Sequence, residues 1–138
     1  MQVTALAKGV RMSPRKVSLV ASLVRGRTVA DALVILEHTP KRAATPVAKA
    51  IASAKANAVT NHRADEKSLV IEHLTVTAAA RIKRFRPAAM GRALPYQKKT
   101  SHIKVVLVGT EKSSSKPKTT AKATETKPAA KKAEGKEA

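Results

Sequence analysis

Cysteine is missing from this 138-residue chain. That removes disulfides, thiolate metal sites and cysteine nucleophiles together, and it suits a reducing compartment. Aromatic residues are nearly missing as well: Phe85 and Tyr96 stand alone, and there is no Trp. Proteins that hold single-stranded nucleic acid usually stack bases on aromatic rings. Contact with nucleic acid here is therefore expected to run through phosphate, sugar and folded shape. Nowhere do about 18 apolar residues follow one another, as a membrane-spanning helix requires. Residues 1–16, MQVTALAKGVRMSPRK, lack the apolar core of a signal peptide. Acidic side chains are scarce: 9 Asp and Glu stand against 28 Lys and Arg, a net charge of +19.

Such a charge opposes compaction and points to a polyanionic partner. It is not confined to one end. Residues 111–138 are Lys, Ala, Thr, Ser, Pro and Glu with one Gly and no large apolar side chain, and their 8 Lys and 4 Glu amount to +4. A segment of that composition buries too little surface to offset the entropy of ordering, so it is predicted to be disordered. The first 110 residues keep the other +15 and form a single domain.

Within that domain the periodicity changes twice. Residues 2–11 alternate weakly and read as a strand. Ser13 as N-cap and Pro14 at the first helical position open a helix over 14–25, with Val17, Val20, Ala21 and Val24 at helical spacing and Gly26 as its stop. Thr28 caps a second helix, with Asp31 as the capping-box acid and Ala32, Leu33, Ile35 and Leu36 on its inner face. A third helix carries Val47, Ala50, Ile51, Ala54 and Ala58. If it starts at Pro40, Pro46 lies inside it and kinks it; otherwise Thr45 is the cap and Pro46 the first helical residue. After the turn NHRADEK, the stretch SLVIEHLTVTAAARIKRF alternates, and its phase slips between Ile71 and Leu74, the mark of a bulge. YQKKTSHIKVVLVG reads as its partner strand, and Pro87, Gly91 and Pro95 place a loop between them.

Length sets the shape of that hairpin. Arms of about 15 residues at about 3.3 Å each reach about 50 Å, whereas a body of this size has a radius of gyration of about 13 Å. Only the base, Leu69–Val76 with Ile103–Val108, can pack on the helices; the arm, about 75–106 with a tip at 85–95, projects. It carries Arg81, Lys83, Arg84, Arg86, Arg92, Lys98, Lys99 and Lys104, and no Asp or Glu occurs from His73 to Thr110. Edge strands use a few charges against aggregation, but eight of one sign with no counter-ion suit a slot lined with phosphate. Arg15 and Lys16 fall in the first turn of a helix, where cations oppose the helix dipole, again a hint of an anionic partner.

Catalytic and metal chemistry find no footing. The Ser-x-x-Lys of SPRK is explained by capping. His38, His62, His73 and His102 lack ligand spacing, so no metal site is predicted. Asp31, Glu37, Asp65, Glu66 and Glu72 all have capping or surface roles, leaving no general acid–base pair, no Gly-rich phosphate cradle, no cofactor and no enzyme.

SPRKVSLVASLVRGRTVADALVIL (13–36), SAKANAVTN (53–61) and RIKRFRPAAMGRALPYQKKTSHIKVVL (81–107) together resemble the universal family of large-subunit ribosomal proteins numbered twenty-two, in its bacterial form. The likeness covers about residues 3–109. It implies an α+β fold, three helices packed on a small antiparallel sheet with a long projecting β-hairpin. It also implies a structural, cytoplasmic, ribosome-bound protein that binds large-subunit rRNA, helps assemble it, touches neighbouring ribosomal proteins and acts as a single copy. The hairpin would line the nascent-peptide exit tunnel, its tip, Arg86, Pro87, Ala88, Ala89, Met90, Gly91 and Arg92, meeting the nascent peptide. The rRNA contacts carried over are Arg11, Arg15, Lys16, Arg25 and Arg27, the arm's Arg81, Lys83, Arg84, Arg86, Arg92, Lys98 and Lys99, and Thr100, Ser101 and His102. The alternative is a chromatin-type protein that compacts DNA with basic arms. Membrane-surface binding lacks the amphipathic aromatic or Leu-rich helix it needs.

Overall fold

The phase slip between Ile71 and Leu74 is where the sheet sets its inner face. A computed structural model describes residues 1–110; the predicted tail 111–138 lies outside them. Strands β1 (Gln2–Val10), β2 (Val70–Ala78) and β5 (Ser101–Val108) form an antiparallel sheet in the order β1-β5-β2. Three apolar rows cross it: Val3–Leu107–Ile71, Ala5–Val105–Leu74 and Ala7–Ile103–Val76. The register shifts between Ile71 and His73, so Glu72 is an extra residue. Strict alternation would turn His73 inward. The bulge turns His73 and Glu72 to solvent and brings Leu74 under the helices. β1 has a second irregularity between Ala7 and Val10, with Gly9 at φ +68°.

The helices α1 (Pro14–Val24), α2 (Val29–His38) and α3 (Ala44–His62) cover the inner face. α3 lies on β1 and β5, α1 on β2, and α2 packs on α3. Val17, Val20, Ala21 and Val24 are fully buried, as their spacing predicts. Ser13 has the extended conformation of an N-cap, but its side chain makes no capping bond. Thr28 does cap α2: its hydroxyl accepts from the Asp31 N–H at 3.2 Å and donates to Asp31 Oδ2 at 2.7 Å. The carboxylate thus binds the cap's hydroxyl, not its backbone N–H. Gly26, at φ +72°, ends α1 and donates to Ile71 O at 2.9 Å. Ile71 N–H donates to Arg27 O and Val29 N–H to Leu69 O, both at 3.0 Å, so residues 26–29 cover part of the outer edge of β2.

Pro46 kinks nothing. α3 begins at Ala44, between the two predicted starts, which puts Pro46 at the third helical position. Amide groups in a first turn have no intrahelical partner, so the missing N–H costs no bond there. The helix closes at Arg63, left-handed at φ 51°, where glycine usually stands.

The outgoing arm is not one strand. Pairing of β2 with β5 ends at Ala78–Ser101; beyond it Ala79 N–H donates to Thr100 O, and Thr100 Oγ1 to Ala80 O at 2.6 Å. A separate two-stranded ribbon follows, β3 (Ile82–Pro87) with β4 (Ala93–Lys98). Thr75–Ala78 and Ser101–Val106, within the arm's expected range of about 75–106, belong to the main sheet. Pro87 and Pro95, read as loop, lie in strands. Both strands of a two-stranded ribbon are edge strands, where proline is tolerated at positions whose N–H would face solvent.

Candidate nucleic-acid interface

β3 and β4 each hold six residues, about 20 Å of strand. Neither packs substantially on a helix or on the main sheet. From Arg81 to Lys99 every residue is exposed except half-buried Ala88 and Tyr96. None of the arm's Lys or Arg has a carboxylate partner among the described residues; the ion pairs there are Lys55–Glu66 and a long Glu72–His73 contact.

The register makes the ribbon two-sided. Ile82, Arg84 and Arg86 pair with Lys98, Tyr96 and Leu94 on one side. Lys83, Phe85 and Pro87 pair with Gln97, Pro95 and Ala93 on the other. The first side carries three cations, the second one. The Arg86 guanidinium lies 4.9 Å from the centre of the Tyr96 ring, a cation–π contact that holds the side chain in place while leaving the charge unpaired. Arg84 donates to the neighbouring Lys83 carbonyl. The turn closes with Ala88 N–H to Arg92 O at 2.7 Å. Met90 and Gly91 both have positive φ there, and Met90 is 93% exposed.

At the root of the arm the fold gathers residues distant in sequence. Arg11, Lys16, Lys98 and Lys99 line one groove of about 640 Å³. Arg15, Arg81 and Lys99 border a smaller hollow of about 220 Å³ beside it. The link between β1 and α1 lies against both, which is why the opposed first-turn cations of α1 meet the arm. Arg25 and Arg27 are not gathered here: they follow the C-terminal end of α1, where Arg25 Nε donates to Leu74 O and Arg27 Nε to Leu23 O, both at 3.0 Å. Thr100 and Ser101 face inward; Ser101 has no exposed surface. His102 Nδ1 accepts from Gly9 N–H at 3.0 Å, which ties the β1 bulge to β5.

Two basic residues of this site were not among those singled out on sequence. Lys41 and Arg42, in the α2–α3 link, line the groove beside Lys98 and Lys99. No local pattern marks them, since only the packing of α3 across β1 and β5 brings that link to the arm. Among the described residues, no three of His, Asp and Glu come close enough to hold a metal ion, and no helix is long and apolar enough to cross a membrane.

The sequence profile described as Ribosomal protein L22p/L17e matches residues 5–108, from the first sheet strand through the arm to the last. The matched span contains all three helices, both ends of the ribbon and every cation of the groove. The α+β body, the two-sided basic ribbon and this match agree, and the chain belongs to the ribosomal protein L22p/L17e family, structural and non-enzymatic proteins of the large ribosomal subunit that are ribosome-bound in the cytoplasm.

Proposed function

We propose that the chain binds folded large-subunit rRNA through the basic side of its arm and the cations at the arm's root, and that it helps that RNA reach its final shape. The observation that carries this reading is the arm itself: Arg81, Lys83, Arg84, Arg86, Arg92, Lys98 and Lys99 are exposed, as is Lys104 on the adjoining strand of the main sheet, with no carboxylate partner among the described residues. Arg11, Arg15 and Lys16 extend the charge onto the body, and Arg25 and Arg27 keep guanidinium nitrogens beyond the one each gives to a carbonyl. Thr100 and His102 act by fixing the strand from which the arm departs, through their bonds to Ala80 O and from Gly9 N–H, and Ser101 is wholly buried beside them. Neutralising phosphates releases counterions, so binding weakens steeply with salt, and with shape rather than base edges being read, structured RNA is preferred over duplex DNA. Residues 86–92 form the arm's far end and, in this reading, stand in the wall of the nascent-peptide exit tunnel.

The test is binding of the purified chain to large-subunit rRNA and to duplex DNA of equal length, each across a salt series, with co-sedimentation on large subunits. Tight retention by subunits in moderate salt and preference for the rRNA are expected; equal affinity for the duplex would favour the chromatin-type alternative. The tunnel position has its own assay. Because the chain has no cysteine, Met90→Cys gives a single thiol for crosslinking in stalled ribosomes. Adducts with nascent chains are expected, and their absence in ribosomes that retain the variant removes the tunnel assignment.

A further inference from the structure

The groove at the root of the arm has a floor as well as a rim. Its rim is cationic: Arg11 and Lys16 from one side, Lys41 and Arg42 from the α2–α3 link, Lys98 and Lys99 from the arm, with no Asp or Glu among the lining residues. Its apolar part, termed the floor, is aliphatic: Met12, Leu19 and Ile82. Leu19 is 65% exposed and Ile82 37%, so neither is covered by the rest of the fold. Phosphate binding alone explains the rim and leaves the floor without a purpose.

We propose that this groove takes one nucleotide turned out of a single-stranded rRNA segment, its base against Met12, Leu19 and Ile82 and its flanking phosphates on Lys41, Arg42, Lys98 and Lys99. The inference rests on the rRNA-binding reading above and adds to it a place, a strandedness and two residues. Charge complementarity selects a polyanion. The volume of about 640 Å³ falls in the range of sites for small molecules, about 300–1,000 Å³, which accommodates a nucleotide; a duplex could only lie across the mouth. Unstacked bases in loops and bulges are the parts of RNA that proteins can enclose. The aliphatic floor supplies the apolar contact that the chain's missing aromatic residues do not. Continuity adds a further argument: Ile82 and Lys98 belong to the same side of the ribbon as Arg84, Tyr96 and Arg86. A single RNA strand can therefore follow that side down the arm and end in the groove.

The experiment compares three forms of the full-length chain on two probes. The probes are a single-stranded RNA of about ten nucleotides and inorganic polyphosphate of similar charge, which has no bases. Lys41→Ala with Arg42→Ala alters the rim; Ile82→Ser with Leu19→Ser alters the floor. All four positions are exposed, so folding is preserved. The rim variant is expected to weaken both probes about tenfold and to lower the salt slope for the RNA by about 1.4, two contacts on a single strand. The floor variant is expected to lose about tenfold on the RNA and nothing on polyphosphate. Protection of the Lys41 amine from acylation by the RNA, measured on the unaltered chain, gives a readout independent of any substitution. If the unaltered chain binds large-subunit rRNA while both variants match it on the short RNA and Lys41 stays reactive, the groove assignment falls and the rRNA reading stands. If the floor variant weakens both probes equally, the groove binds phosphate only and the base pocket is wrong. If the unaltered chain ignores the rRNA, both proposals fall.

Discussion

Residues 70–78 and 82–87 are near neighbours on one stretch of chain and obey opposite rules. In β2 alternate side chains go under the helices, and a bulge is inserted at Glu72 to keep them there. In β3 alternation persists but nothing is buried: one side offers Arg84 and Arg86, the other Phe85 and Pro87. Sheet strands are stabilised mainly by what their inner face touches, and an isolated two-stranded ribbon is marginal in water. The body therefore holds its own shape, whereas the arm has no packed face of its own. The break at residues 79–81 separates the two regimes.

The comparison is broken most severely from the body side. Ile103, fully buried in the centre of β5, is expected to cost about 2–5 kcal/mol of stability when changed to Ala. Phe85 is as large but 75% exposed, and Phe85→Ala should stay within about 0.5 kcal/mol of the parent. Urea unfolding of the two variants measures the contrast. A large loss at Phe85 would mean that the arm shares the core's cooperativity.

On the arm side the effect is on binding and not on folding. Replacing Arg84, Arg86 and Lys98 together by Gln removes three cations from one side of the ribbon. The slope of log affinity against log salt should fall by about 2 to 3, with the melting temperature unchanged. The same treatment of Lys83 alone, on the opposite side, should leave the slope within about 0.3 of the parent, well below the about 0.7 of one full phosphate contact on a single strand. Equal effects per charge on the two sides would show that RNA surrounds the ribbon evenly.

How much of this was legible beforehand follows the same division. The Val17–Val24 stripe, the Thr28–Asp31 cap and the slip before Leu74 are local patterns with one physical reading each, and the structure repeats them. The start of α3 was not legible, because Ala43 offers no side-chain cap and the turn is closed by Ala44 N–H to Lys41 O. The interruption of the arm was hidden for a related reason: Ala78-Ala79-Ala80 contains neither Gly nor Pro to announce it. Lys41 and Arg42 could not be assigned to the arm's root from sequence, since about 57 residues separate them from Lys98 and only tertiary packing closes that gap.

A smaller effect is expected at Ser101, whose buried hydroxyl has no hydrogen-bond partner among the described residues. An unsatisfied buried hydroxyl costs about 1–3 kcal/mol by mutational measures, so Ser101→Ala should raise stability, by about 1 kcal/mol. A loss on that substitution would point to an internal water bound by the hydroxyl.

The smallest effect separates the regions most cleanly. Arg63 and Met90 hold nearly the same left-handed backbone, φ 51° and 59°, a conformation that strains a side chain by about 1–2 kcal/mol and that glycine adopts freely. Arg63 closes α3, where Ala64 N–H reaches Ala58 O at 3.1 Å, so its strain is stored in the cooperative body. Arg63→Gly should release it, less about 0.5–1 kcal/mol for the added freedom of the unfolded chain. The net gain of a few tenths of a kcal/mol lifts the melting temperature by about 1–3 °C. Met90 sits at the far end of a ribbon that opens without unfolding the core, and strain held in such a segment does not enter the global transition. Met90→Gly should leave the melting temperature where it is. Paired scanning calorimetry of the two glycine variants decides the matter: a rise for Arg63→Gly alone keeps arm and body thermodynamically separate, whereas equal rises would make them one unit.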